Sequence, residues 1–321
     1  MILVLPLTMV FLLSAGLTYL VRNLSLHYQI LDTPNQRSSH IVPLPRGGGL
    51  AFFFVFYAIL IWLFVFHVIE KNIFLSLLGG IPIAIIGYCD DLLEMKTSIR
   101  LAVQLLSSVW GLYWLHLPFL FFVIACISSV WLVNLYNFMD GIDGLAGSEA
   151  VFVSGVAGLL LWIHGFYSNA LVCLLITSSV MGFLVWNWQP AKIFMGDVGS
   201  GLLGYWFAML IWTTKIQHQL SMDVWIILLS VFLIDATMTL LHRMKQKKKW
   251  YAAHREHAYQ RLVQAGFAHQ TVTLFILSIN VLICVPLIFC HFLVMSPVAL
   301  GLFLMGGWLM WYRIVRRYSA R

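Results

Sequence analysis

The sequence predicts an all-α, polytopic membrane protein of about eleven transmembrane helices. Three observations carry this reading. Of the 321 residues, 61% are hydrophobic and only 10% are charged. The mean hydropathy is +0.92. Apolar runs near the roughly 20 residues that cross about 30 Å of hydrocarbon recur along the whole chain.

The windows fall at 2–21, 48–68, 73–88, 99–115, 117–136, 151–163, 170–186, 199–212, 224–241, 272–289 and 293–311. The first has no basic residue before it and no small-residue cleavage site after it, so a retained span is expected rather than a signal peptide. The second opens after a triple glycine, the third ends at Asp90, and the fourth follows Arg100. The fifth runs into the polar interval "NLYNFMDGIDGLAGSE". The sixth and eighth windows are short and borrow residues from glycine-containing loops beside them. The ninth encloses Asp235, and the last two show only membrane character. The longest polar stretch, His242 to Gln270, is too small for a core of its own. With no internal repeat, a single transmembrane domain over residues 1–321 is expected. Cys89, Cys126, Cys173, Cys284 and Cys290 lie in or beside apolar segments without a Cys-x-x-Cys pair, and read as small buried hydrophobes.

Lysine and arginine gather on the cytoplasmic side of short membrane loops. With the N-terminus outside and the C-terminus in the cytoplasm, only Lys71 and Lys215 of the 19 basic residues fall on the outer side. A wrong topology would scramble that alternation. The acidic residues follow the same face: Asp32, Asp90, Asp91, Glu94, Asp140, Asp143, Glu149, Asp197, Asp235 and Glu256 lie at or near it, while Glu70 and Asp223 lie outside. Carboxylates are not sorted by lipid, so their placement points to use. The run Lys247 to Lys249 reads as an anchor near anionic membrane lipid, and no nucleic-acid partner is expected.

Asn134, Asn137, Asp140 and Asp143 recur every third residue. On a helix each such step turns the side chain back by about 60°, so the first three share a face, and Gly141 and Gly144 let the chain leave helical geometry before Asp143. Two amides and two carboxylates ending a span suit convergence on one ligand, since polar groups at membrane depth are costly. One Asp-Gly pair alone would be an ordinary capping loop. In "GYCDDLLEMKTSIR" the adjacent Asp90 and Asp91 repel unless a cation offsets them; with Lys96 and Arg100 following, the stretch taken alone fits a solvated loop as well. In "QPAKIFMGDVGSGLLG", Lys192 and Asp197 precede a span, and Asp197 is either a helix cap or a ligand holding a divalent cation against phosphate. Asp235 is a functional candidate or a structural partner of Thr239 or Arg243.

His254 and His257, three apart, would share a helical face beside Arg255 and Arg261, and lack a third zinc ligand, so phosphate contact or proton transfer is expected of them rather than zinc. "LDTPNQRSSHIVPLPRGGGL" sets Arg37, His40 and Arg46 before bare backbone; it lacks the P-loop lysine pattern, yet could touch phosphate. Oxygen donors of this kind suit Mg2+ or Mn2+.

These residues resemble the polyprenyl-phosphate N-acetylhexosamine-1-phosphate transferases, which include phospho-N-acetylmuramoyl-pentapeptide transferase. The likeness runs colinearly from about Asp32 to Arg261. "CDDLLEMK" resembles that family's Asp-Asp loop, "NLYNFMDGIDGLAG" its Asn-x-x-Asn-x-x-Asp-Gly-x-Asp-Gly signature, and "AKIFMGDVGS" its Phe-Met-Gly-Asp loop. The resemblance implies transfer of a sugar 1-phosphate from a UDP-sugar to polyprenyl (undecaprenyl) phosphate with release of UMP, at the cytoplasmic face of a bacterial inner membrane. It implies Asn137 and Asp197 as metal ligands, and Asp90 and Asp91 near the lipid phosphate. Asn134, Asp140 and Asp143 would hold nucleotide or metal-bound water. Arg46, Lys96, Arg100, Lys192, His254 and Arg255 complete the expected substrate contacts, and His257 the catalytic set. Many relatives read His-x-His-His in the last loop where this chain has "HREHAYQRL", which points to the O-antigen-initiating branch and its N-acetylhexosamine or 6-deoxy sugars. A phosphate monoester is largely dianionic at neutral pH, so no obligatory general base is expected. The rival from another class is an ion-coupled transporter using Asp235, which would favour mid-membrane charges and internal repeats. The sugar, the polyprenyl length and the oligomeric state, a homodimer included, stay open.

Overall fold

The computed structural model describes residues 4–33, 42–93, 95–248, 254–293 and 297–318, with side chains 290–299 excepted. Arg37, His40, Glu94 and Lys249 therefore lie outside the described residues, as does the side chain of Cys290. The chain forms helices α1 (Val4–His27), α2 (Gly49–Val65), α3 (Lys71–Leu78), α4 (Gly80–Leu93), α5 (Thr97–Tyr113), α6 (Phe119–Met139), α7 (Leu145–Ile163), α8 (Tyr167–Asn187) and α9 (Asp197–Ile216). There follow α10 (Met222–Leu228), α11 (Ser230–Lys245), α12 (Ala258–Gln264), α13 (His269–Ile279), a π turn (Asn280–Cys284), α14 (Val285–Leu293) and α15 (Pro297–Arg317). Between α1 and α2, Leu31–Asp32 (β1) and Leu44–Pro45 (β2) pair antiparallel.

The described parts of the windows fall on helices, but 73–88 covers both α3 and α4 and 224–241 covers both α10 and α11, so the expected eleven spans do not map one to one onto the helices. Among the described residues, six helices are long and apolar enough to cross a bilayer, or seven counting α10 and α11, which meet at a 77° bend. The architecture is that of a multi-pass integral membrane protein.

The core is organised around α9, whose residues Val198 to Thr214 are all buried. Lipid tails are as apolar as leucine, so helices in a membrane associate through close packing, and small residues permit it. Here α9 packs against α2, α4, α5 and α6, and glycines set the spacing. A methyl group on Gly49 would lie 2.4 Å from the Gly199 Cα, and one on Gly204 would lie 2.4 Å from the Leu132 carbonyl. A second layer joins α1, α7 and α8, and α10 to α15 close the remaining side.

Glu149, expected at or near the cytoplasmic face, is buried inside α7 at 1% exposure and accepts a hydrogen bond from the Asn280 side-chain amide in the π turn. The helix begins at Leu145, so Glu149 is already more than a turn inside the bundle.

Candidate active site at one end of the bundle

The carboxyl ends of α4 and α6 and the amino ends of α5 and α9 meet at one end of the bundle. Helix α6 stops at Asp140, where the backbone leaves helical geometry. Helix α9 starts at Asp197, after Gly196 at a positive φ of 77° that favours glycine. Glycine is also required there by contact, because a methyl group on Gly196 would lie 2.4 Å from Asp91 Oδ2.

Asn137, Asp197, Arg100 and Gln104 line one cleft, walled by Ile83, Gly87 and Val133. Asn137 Nδ2 donates to Ser200 Oγ at 3.2 Å, one turn into α9. Arg100 bridges the carboxylates: its Nη1 bonds Asp90 Oδ2 and lies 3.4 Å from Asp197 Oδ2. Asp90 also accepts from the Met95 amide at 2.7 Å. Asp91, four residues beyond Gly87, turns toward α9 instead. Its Oδ1 accepts from the Asp197 amide at 3.2 Å and lies 3.8 Å from Arg46 Nη1, while its Oδ2 is buried without a hydrogen-bond partner. The two neighbouring aspartates thus diverge, as adjacent helical positions must. Asp140 sits close by, and burial followed by the Asp91 charge pushes its carboxyl up to about 7.

Asn134 stands one turn below Asn137 on α6, where its amide donates to Gln104 Oε1 at 2.7 Å. Gln104 follows Arg100 by one turn of α5 and is buried. Sequence reasoning missed both Gln104 and Ser200. The readable signal was a carboxamide within an apolar window, spaced four residues from an arginine.

The model of the family described as glycosyl transferase family 4 matches residues 73–215, a segment that holds all the cleft residues just named. Curated relatives extend the match along the chain. One from Bacillus subtilis, named a probable undecaprenyl-phosphate N-acetylglucosaminyl 1-phosphate transferase, is 27% identical over 82% of this chain and 78% of its own length. Undecaprenyl-phosphate alpha-N-acetylglucosaminyl 1-phosphate transferases of Yersinia pestis and Escherichia coli K12 are each 26% identical over 97% of this chain and 91% and 90% of their own. The chain is similar to glycosyl transferase family 4 over that central segment and to these transferases along most of its length.

The remaining expected residues divide between the cleft and its supports. Asp143 acts as a clasp: Oδ2 accepts from the Ala191 amide at 3.0 Å and Oδ1 lies 3.2 Å from His269 Nδ1. Thr273 also donates to its carbonyl at 3.2 Å. His269, unremarked in the sequence, joins α13 to the polar interval in this way. Gly144 takes a positive φ of 72°, and its amide donates to Asn187 Oδ1 at 3.1 Å, which seats the interval on α8.

The triple glycine corrects an expectation. The amides of Gly48 and Gly49 are taken by the carbonyls of Phe194 and Met195, each at 2.9 Å, and so are not free to bind phosphate. These glycines serve close packing instead. Arg46 beside them reaches the site, and the Gly47 amide nitrogen comes within 3.2 Å of where a methyl group on Gly196 would lie.

Lys192 is exposed, with its ammonium 5.3 Å over the Trp186 ring, and Lys96 is exposed at the start of α5. His254 and His257 do not share a helical face, since α12 begins at Ala258; their rings stack at 4.9 Å instead. His257 is 2% exposed with Nδ1 3.6 Å from Asp235 Oδ1. Arg255 is half-buried, its carbonyl accepting from Gln264.

Asp235 is fully engaged. It accepts from the amides of Ala258 at 2.8 Å and Tyr259 at 3.1 Å, from Thr239 Oγ1 at 3.1 Å and from Trp311 Nε1 at 3.2 Å. The Thr239 reading of Asp235 holds; Arg243 is bonded to Glu256 instead. Tyr259 in turn donates to the Phe138 carbonyl at 2.9 Å, so the last loop supports the end of α6.

Among the described residues no group of three or more histidine, cysteine, aspartate or glutamate side chains forms a closed metal cage. An open set of carboxylate and amide oxygens is what Mg2+ uses, because it keeps several waters and takes one or two carboxylates plus substrate phosphates. Asp197 and Asn137, facing one cleft with the unpartnered Asp91 Oδ2 nearby, match that donor chemistry.

Proposed function

We propose that this chain transfers a sugar 1-phosphate of the N-acetylhexosamine class from a UDP-sugar to undecaprenyl phosphate, giving undecaprenyl-diphosphate-sugar and UMP. The observation that carries the reading is the convergence of Asn137, Asp197 and Arg100 on one cleft at the end of α4, α6 and α9. The names of the relatives supply the acceptor and sugar class. An oxygen of the lipid phosphate attacks the phosphorus that bears the sugar, a new P–O bond forms, and the bond to UMP breaks with the electron pair leaving on the UMP oxygen. The acceptor is largely dianionic at neutral pH, so no proton need be removed first.

This chain's residues act by placement and charge. Arg100 and Arg46 bring guanidinium groups to the cleft and its rim, where phosphate oxygens collect charge. Asp197 and Asn137 would hold Mg2+, which when bound neutralises those oxygens. Asp90 and Asp91 position Arg100, Arg46 and the start of α9. Basic residues crowd the same end of the bundle, which supports a cytoplasmic-face site in a bacterial inner membrane. We extend the proposal to the first step of a cell-surface glycan of the O-antigen type. The transporter reading lacks support, since Asp235 has its hydrogen bonds filled.

The test is UMP release by purified protein given undecaprenyl phosphate, UDP-N-acetylglucosamine and Mg2+. Asp197→Asn is expected to abolish turnover while the protein remains folded by thermal melt. Retained turnover would remove Asp197 from the metal role, and substrate uptake into vesicles without UMP release would replace the transferase reading altogether.

A further inference from the structure

A second feature lies away from the cleft, on the side closed by α12, α13 and α15. A cleft of about 370 Å³ is walled by Leu262, Phe275, Met310 and Ile314. The same four residues wall an adjoining apolar cleft of about 280 Å³ that runs along α11 between α13 and α15. The two form one groove, with a polar mouth at the end where the basic residues gather. That mouth is set by Arg313 and Arg317, four residues apart on α15 and so on one face, with Thr271 opposite. Both arginines are exposed.

We infer that this groove binds an anionic glycerophospholipid of the surrounding leaflet, its phosphate between Arg313 and Arg317 and an acyl chain lying along Met310, Phe275 and the apolar floor. The argument is charge complementarity combined with depth. Arg313 and Arg317 occupy the last two turns of α15, at the level where lipid phosphates lie. Among the described residues the one carboxylate along the groove is Asp235, at its deep end with its oxygens taken by Ala258, Tyr259, Thr239 and Trp311. Among the described residues nothing acidic lines the mouth. The apolar walls suit a chain, whereas a free phosphate ion would find no use for them. The groove shares no residue with the cleft of Asn137 and Asp197, so the inference stands apart from the transferase reading.

The experiment is native mass spectrometry of the purified protein exchanged into mixed phosphatidylcholine and phosphatidylglycerol. The wild type should retain one phosphatidylglycerol in preference, and Arg313→Gln with Arg317→Gln should weaken that retention roughly 30-fold, as two juxtamembrane charges imply. Lys245→Gln with Lys247→Gln, an equal change of charge at the same end, should leave it unchanged. No preference, or equal loss in both pairs, overturns the inference. So does displacement of the bound lipid by equimolar undecaprenyl phosphate, which would assign the groove to the acceptor. A photoreactive acyl chain on phosphatidylglycerol should label α13 or α15 near Phe275 or Met310 in the wild type, independently of any variant. Labelling confined to other helices overturns it equally.

Discussion

Replacing Gly87 by alanine tests whether main-chain contact sets the catalytic geometry. A methyl group there would lie 2.5 Å from the Asp197 carbonyl oxygen and 2.6 Å from both the Asp197 carbonyl carbon and the Val198 amide nitrogen. Ordinary contact begins at 3.4 Å, and none of these atoms belongs to a side chain that could rotate away. Helix α4 must therefore move from the start of α9 by about 0.9 Å. Asp91, one turn further along α4, accepts from the Asp197 amide at 3.2 Å, and the same displacement would carry that bond to about 4 Å, past hydrogen-bonding range. Overpacking of this kind costs about 1–3 kcal/mol, offset in part by the ~1 kcal/mol that alanine gains over glycine in a helix. The larger effect falls on rate, since a misplacement near 1 Å costs on the order of 100-fold. UMP release under saturating substrates and a detergent melt should separate the two. Gly16→Ala, inside α1 where a methyl group meets nothing within 4 Å, is the matched control and should leave turnover unchanged while melting no lower than wild type. Turnover of Gly87→Ala within twofold of wild type would refute the reasoning.

Other perturbations probe the supports. Asn280→Ala removes the donor to Glu149 and leaves a buried carboxyl unpaired, so stability in detergent should fall by about 1–3 kcal/mol, whereas Glu149→Gln should melt closer to wild type. Tyr259→Phe deletes the bond to the Phe138 carbonyl and should cost about 1 kcal/mol, with a matching drop in UMP release if that bond steadies the end of α6. Burial, then the neighbouring His257 and Arg243 charges, lowers the His254 pKa from 6.5 to about 4. Between those values the unfolded chain binds a proton that the fold refuses, so this contribution to stability is complete above pH 6.5 and is lost as pH falls toward 4. Melting temperatures of His254→Gln should show a shallower acid decline than wild type; an unchanged slope would remove His254 as its source.

The sequence made the rods and the polar end of the bundle legible because both depend on local pattern. Apolar length marks helices wherever they pack, and the spacing of Asn134 and Asn137 on one helix survives folding unchanged, whereas the helix ends just before Asp140. What tertiary approach decides was hidden. Ser200 meets Asn137 across 63 positions of sequence, and His269 meets Asp143 across 126; neither spacing carries a periodic signal. The triple glycine was ambiguous for a related reason, since bare backbone serves phosphate binding and helix contact alike, and only the positions of Phe194 and Met195 decide between them. Glu149 follows so closely on the polar interval that composition alone could not show the helix had already carried it inside.

The Asp235 node has a practical side. Trp311, on α15, donates to the carboxylate that anchors Tyr259, and Tyr259 holds the Phe138 carbonyl beneath the candidate cleft. Shortening the protein ahead of Trp311 would loosen a relay ending at residues more than 170 positions earlier. A truncation that keeps Trp311 leaves every link of that relay in place, and is expected to retain more activity than one that ends ahead of it.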